Sequence, residues 1–367
     1  MTSIRRAGGF TLVEMLISVG IASVLMVAVL AVTLTGIQSS TQSRAGSLLS
    51  NDVVLLTDFF SREFPNTGGN VIPVDGSIFV ENNCSARATF PGCQGSDRVS
   101  LFQAIGDLNC PILATAGWSP SAGVIQLDTT GGCCLPGVSL TNYHAMFVKK
   151  TFFQHMYITA TDPAACQVTY TAGPVLPGFD NPYAGNDWSS GAIVPMQVKT
   201  YFLDTTTTPP YVLNRLTYTN GGASSTTSTT EALIDRLFDF QVALGYDFNP
   251  ADGNVSDTGD NNDEWLYNAL PTESFLALPF TAASPSQLRM VGIGFIAGSP
   301  VTNKIRGQWA AVLDGKLWKT SGIATSDIPS AVTAFRVGST YNASIPNGWT
   351  VQGVVLNTML RNTGNYQ

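Results

Sequence analysis

The sequence predicts an α+β chain: one long N-terminal helix, membrane-spanning in its first half, packed on a large antiparallel β-rich domain. Three observations predict it. The run from Met15 to Leu34 carries no charge and is long enough to cross the hydrocarbon core of a bilayer as a helix. No proline occurs from Phe10 to Phe64, and apolar residues late in that stretch recur at helical spacing. Beyond Pro65 the pattern changes to short strands separated by Gly, Pro, Asn and Asp clusters.

The helix is justified residue by residue. Leu49, Val53, Leu56, Phe60 and Phe64 stand 4, 3, 4 and 4 apart, which places them on one face of an amphipathic helix. Asp58 and Arg62, four apart, can pair on the solvent side for a few tenths of a kcal/mol. Pro65 supplies the stop. Residues 10–64 therefore read as one helix of about 55 residues, roughly 80 Å long. Its second half packs on the soluble domain.

The start of the helix is unusual. Arg5, Arg6 and a Gly8-Gly9 pair precede Phe10-Thr11-Leu12-Val13-Glu14, and the apolar run follows at once. A secretory signal peptide also has a basic start and an apolar run, with cleavage after small residues on the far side. Thr33, Thr35 and Gly36 would serve. That reading leaves Glu14 unexplained, because a carboxylate deep in a bilayer costs roughly 2.5–3.5 kcal/mol and by default suggests a partner. A glutamate that snorkels to the headgroups is the plainer alternative.

The string Gly9-Phe10-Thr11-Leu12-Val13-Glu14 with its apolar run resembles the type IV pilin and pseudopilin family. The resemblance implies a leader of residues 1–9, cut by a prepilin peptidase between Gly9 and Phe10, with N-methylation of Phe10. Residues 10–64 become the pilin helix, with its transmembrane segment at about 15–34. Residues 65–367 form the head outside the cytoplasm. It further implies that Glu14, the fifth mature residue, meets the terminal amine of a neighbouring subunit in the filament. Glu14 lies about 6 Å along the helix from Phe10, and opposite charges in a low-dielectric setting make each other less costly to bury.

Composition narrows the classes. Removing the two leader arginines lowers Lys+Arg from 18 to 16 against 25 Asp+Glu, leaving about −9. No basic stripe is present, which argues against nucleic acid as a partner. Six cysteines (Cys84, Cys93, Cys110, Cys133, Cys134, Cys166) lie in the first half of the soluble part, in a Cys-rich stretch of about 84–166. An exported chain meets an oxidising compartment, so disulfides are expected. Six cysteines allow 15 connectivities. Cys84 and Cys93 bracket a short Gly/Pro-containing loop and are the first pairing expected. Zinc is disfavoured, since there is no C-x-x-C and only His144 and His155 are available.

Expected strands are Ser77–Val80, Arg98–Ala104, Val124–Leu127, Ala145–Phe153, Met156–Thr159, Val168–Thr171, Met196–Leu203, Tyr211–Thr219, Phe240–Tyr246, Met290–Ala297 and Val351–Leu360. Met196–Leu203 alternates well enough to be half buried. Gly221–Thr230 and Phe248–Glu264 read as loops, and Glu231–Asp239 as a short helical turn. The order of motifs from Tyr211 to Asp247, with a closing strand ending at Leu360-Arg361-Asn362, resembles the PilW-type minor pilins. It is more distantly similar to the J-type pseudopilin of type II secretion.

Candidate chemistry is sparse. Asp247, Asn249, Asp252, Asn254 and Asp257 open an acidic loop that could supply oxygen ligands to calcium. The start is close to an EF-hand loop but has one extra residue and lacks flanking helices of the expected kind, and a solvated turn-rich loop is the preferred reading. No cofactor is otherwise implied. G-x-S-x-G, H-E-x-x-H and P-loop motifs are absent, so no enzyme activity is expected. His144 and His155 read as packing or surface residues. Cys133-Cys134 reads as structural rather than as a redox pair. The scattered tryptophans (Trp118, Trp188, Trp265, Trp309, Trp318, Trp349) read mostly as core and edge filler, with one or two exposed as a candidate adhesive surface. The expected function is a minor type IV pilin that helps to initiate, assemble or cap a pilus. It would be anchored in the bacterial inner membrane and partnered by other pilins and minor pilins. The alternatives are a pseudopilin of type II secretion or a pilus-displayed adhesin.

Overall fold

The computed structural model describes residues 11–70, 74–81, 96–105, 108–113, 123–129, 133–134, 138–149, 152–172, 188–206, 210–222, 227–246, 265–266, 288–300 and 349–360. Its first element, α1, runs unbroken over Leu12–Glu63. The α-helix ends just ahead of Pro65, as expected. The chain then tightens into a 3-10 helix over Phe64–Asn70, with Pro65 in its first turn. A single turn, α2 (Val74–Ser77), then leads into the strands.

The strands are β1 (Ile78–Glu81), β2 (Arg98–Ala104), β3 (Cys110–Pro111), β4 (Val124–Gln126), β5 (Tyr143–Lys149), β6 (Phe152–Asp162), β7 (Gln167–Ala172), β8 (Ala192–Asp204), β9 (Tyr211–Tyr218), β10 (Ser228–Tyr246), β11 (Trp265–Leu266), β12 (Leu288–Pro300) and β13 (Trp349–Met359). Neighbours run in the order β13-β12-β10-β9-β8-β5-β6-β7-β4, with β1 beside β2, β2 and β3 beside β8, and β11 beside β10. The named pairings are all antiparallel. The fold is thus one long apolar helix and a large antiparallel sheet domain.

β8 joins two cores. Its first residues, Ala192–Pro195, pair with β5, and its later residues pair with β2 and β9. Pro195, which has no N–H to donate, stands where the strand changes partners. The expectation of a half-buried Met196–Leu203 is corrected at its end, since Thr200 to Leu203 are all buried. Thr200 shares a 2.8 Å hydroxyl bond with Ser100, while Tyr201 meets the Phe59 and Phe60 rings of α1 at 5.8 and 5.6 Å. Both faces of β8 are covered there.

Two other expectations are overturned. Ala145–Phe153 is not one strand: β5 ends at Lys149, and β6 returns from Phe152 alongside it. Glu231–Asp239 is not a helical turn but the middle of β10, which also claims Ser228–Thr230 from the expected loop. Register shifts against β9 fall between Ala232 and Ile234 and between Ile234 and Leu237, and against β12 between Leu237 and Asp239. Each bulge resets the alternation of faces, so Leu233, Ile234, Leu237 and Phe238 imitate a helical spacing.

The larger core seats α1 on the strands. Leu49 and Leu56 are nearly buried and Phe60 and Phe64 wholly so, with Val53 packed at the edge. Phe60 also stacks on Phe240 of β10, centroids 5.8 Å apart. The second core lies around β3 to β7 and is stapled by Cys110–Cys133 and Cys134–Cys166, with Cα separations of 5.6 and 5.2 Å. The vicinal cysteines Cys133 and Cys134 thereby each tie a different partner. Phe147 stacks on the largely buried Trp188 at 4.0 Å. That packing needs Gly191, because a Cβ there would lie 2.2 Å from the Phe147 ring.

His144 and His155 are interior packing residues, both essentially unexposed. Their rings stack at 5.7 Å, with Tyr157, Tyr218 and Phe102 alongside. Burial, and then the nearby His144, pushes His155 down to about 3. An unfolded histidine takes a proton near pH 6.5, so between pH 6.5 and about 3 the unfolded chain binds more protons than the fold. This contribution is complete above pH 6.5 and is lost as pH falls. The loss of stability between pH 7.5 and 4.5, followed by urea unfolding in detergent, should shrink by about 2 kcal/mol in His155→Phe. In the same assay Phe60→Ala should cost about 3–5 kcal/mol at neutral pH, the usual penalty for emptying a buried aromatic site.

Candidate functional site

The N-terminal helix and its junction with the head form the candidate site. At the start of α1, Thr11 is the N-cap, with φ −75° and ψ 150°. The Glu14 N–H donates to Thr11 Oγ1 at 3.3 Å, and Glu14 Oε2 accepts from Thr11 N and Oγ1 at 3.0 and 2.9 Å. This is a capping box, in which two otherwise unpaired N–H groups are satisfied reciprocally. Within one chain, therefore, the acid at the mouth of the apolar run serves its own helix terminus. The expected partner amine belongs to Phe10, which lies outside the described residues, as does Gly9.

From Leu12 to Ile37 the large apolar side chains are exposed, with Leu12, Val24 and Val32 at 77, 70 and 73 %. The hydroxyls in this stretch do not face their surroundings unpaired. Ser18 donates to Glu14 O, Ser23 to Gly20 O, Thr33 to Val29 O and Thr35 to Ala31 O, at 2.7 to 2.9 Å. Each polar group is thus satisfied inside its own helix, which hydrocarbon requires. Among the described residues this is the one helix long and apolar enough to cross a membrane, by length and composition.

At the other end of α1, acids on the helix meet bases on the sheet. Glu63 accepts from Lys199 Nζ at 3.0 Å and from the Tyr201 hydroxyl at 3.1 Å. Arg215 Nη1 lies 3.9 Å from Glu63, its guanidinium sits 6.0 Å over the Phe59 ring, and it also pairs with Glu231. Burial, and then the Glu63 charge, pushes the Tyr201 hydroxyl up, so it stays a proton donor. Eleven residues earlier, Asp52 Oδ2 meets Arg236 Nη2 at 2.9 Å. Burial pushes the Asp52 carboxyl up, Arg236 opposes this, and Asp235 adds to it. On the outer face, Asp58 and Arg62 pair at 2.8 Å.

Sequence reasoning did not single out Asp52, Glu63, Lys199, Arg215 or Arg236. A signal was present for the first two: Asp52 lies three after Leu49 and Glu63 three after Phe60. Charges there flank the apolar face and need bases on the surface it docks against. Cys84, Cys93 and the calcium candidates Asp247, Asn249, Asp252, Asn254 and Asp257 lie outside the described residues. Among the described residues, no group of three or more His, Cys, Asp or Glu is placed to hold a metal ion.

Neither the curated proteins nor the solved structures compared with this chain include a match. Residues 4–30 match the family model of the prokaryotic N-terminal methylation motif. That match, with the exposed apolar helix behind it, supports a type IV pilin-like or pseudopilin protein anchored in a membrane before assembly.

Proposed function

We propose that this chain is a minor type IV pilin, a structural subunit of the PilW type rather than an enzyme. A prepilin peptidase cuts it between Gly9 and Phe10, Phe10 is N-methylated, and the helix waits in the inner membrane with the head outside the cytoplasm. Other pilins then take it up through the same helix. The observation that carries this reading is the exposed, uncharged stretch of α1 placed directly behind the methylation motif. Apolar area of that extent is stable in lipid or against other apolar helices, and not in water. Transfer from bilayer to filament keeps it dry in both states.

Two further features support the reading. The two described disulfides suit an oxidising compartment beyond the cytoplasm. Glu14 sits at the first turn, where cleavage would place a cationic amine four residues away. Filament assembly brings a neighbour's amine to that carboxylate and sets the axial register. The head is bulky beside a slender shaft, which suits a tip or initiating position.

Sequencing and mass analysis of the mature protein should find N-methylated Phe10 at its start. A chain beginning beyond Leu34 would overturn the reading. Glu14→Ala should give a cleaved, membrane-held subunit that fails to enter filaments; undiminished incorporation would refute the role given to Glu14.

A further inference from the structure

The docked half of α1 is held at two places of unequal strength. Leu56, Phe60 and Phe64 are buried at the lower place, and Glu63 is tied there by Lys199 and Tyr201. At the upper place only Ala45 and Leu49 are buried, while Leu48, Val54 and Leu55 face outward. Asp52–Arg236 is a polar tie at that end.

The strand makes an unusual effort to present Arg236. Its backbone has φ 69°, a left-handed conformation that non-glycine residues seldom adopt. It lies within the register shift against β9 between Ile234 and Leu237, next to the shift against β12 between Leu237 and Asp239. A bulge of this kind re-aims a side chain, and strain of this kind is kept where the surroundings demand it. Here the guanidinium is aimed at the helix. Arg236 Nε also holds Asp235 Oδ1 at 3.0 Å, and Asp235 is well exposed. When Asp52 leaves, Arg236 therefore keeps a carboxylate, and Asp52 regains water. An ion pair whose acid is partly desolvated adds geometry more than stability. Such a contact is easily opened.

We propose that Asp52–Arg236 is a latch. With it closed, Ala45–Val53 lies on the head. With it open, this segment bends away from the head by gradual curvature of α1 above Leu56, while Leu56–Phe64 remains seated. The angle between the head and the membrane-spanning half of α1 changes, and neither part unfolds. A subunit with this latch can settle its head against neighbours of different shape.

Nitroxide pairs on the full-length chain in bilayers test this, with one label at exposed Thr229 on β10 and the other at exposed Leu48 or Ser61 on α1. Asp52→Asn is nearly isosteric, and Arg236→Gly removes the side chain while relieving the left-handed strain. In both variants the 48–229 distances should gain a second, longer population, roughly tenfold above wild type, with the 61–229 distances unchanged. Unchanged 48–229 distances in both variants, or equal broadening of both pairs, would overturn the latch.

Discussion

The seating of one helical face on a strand surface is the constraint on which the rest of this molecule depends. Phe60 is the centre of that seat: it meets Phe59, Phe64 and Tyr201 edge-on or tilted and stacks on Phe240. Burying a side chain of this size contributes about 1.5–3 kcal/mol, and Leu49, Leu56 and Phe64 add to it. The strands gain a cover for β8 and β10. The helix gains a fixed attachment for a first half that touches nothing else described in the chain.

One continuous helix therefore serves two apolar environments. Its second half is amphipathic and is satisfied by its own head. Its first half is apolar all round, with its hydroxyls turned back onto its own carbonyls. A helix hydrophobic on every side must be surrounded by lipid or by other helices. The charges follow the same division. Glu14 stands at the terminus far from the head, and Asp52 and Glu63 stand where the helix meets the sheet. Between Glu14 and Arg44 there is no charged side chain.

The parts legible in the sequence were those with a strong period. The face Leu49 to Phe64 repeats without interruption, and Arg98–Ala104 was recovered as the strand it is. Glu231–Asp239 was misread because three register shifts crowd that stretch of β10 and leave apolar residues three and four apart. Short apolar stretches without a clear alternation are ambiguous between helix and strand. The His144–His155 stack was beyond reach for another reason: the two residues meet only because β5 and β6 pair as a hairpin, a fact about register. Arg236 was hidden twice, in a misread element and in a backbone conformation that no residue preference announces. At the site, Thr11 and Glu14 follow a familiar capping spacing, whereas the bases opposite Asp52 and Glu63 come from three distant strands.

The central claim is that α1 is retained whole, with its first half in lipid and its second half on the head. Spin-label accessibility in reconstituted bilayers tests it most directly. A nitroxide at Leu25 should collide readily with oxygen and hardly with a water-soluble nickel chelate, and one at Val54 should show the reverse. Free access of the chelate to both positions, or loss of residue 25 from the mature chain, would contradict the account.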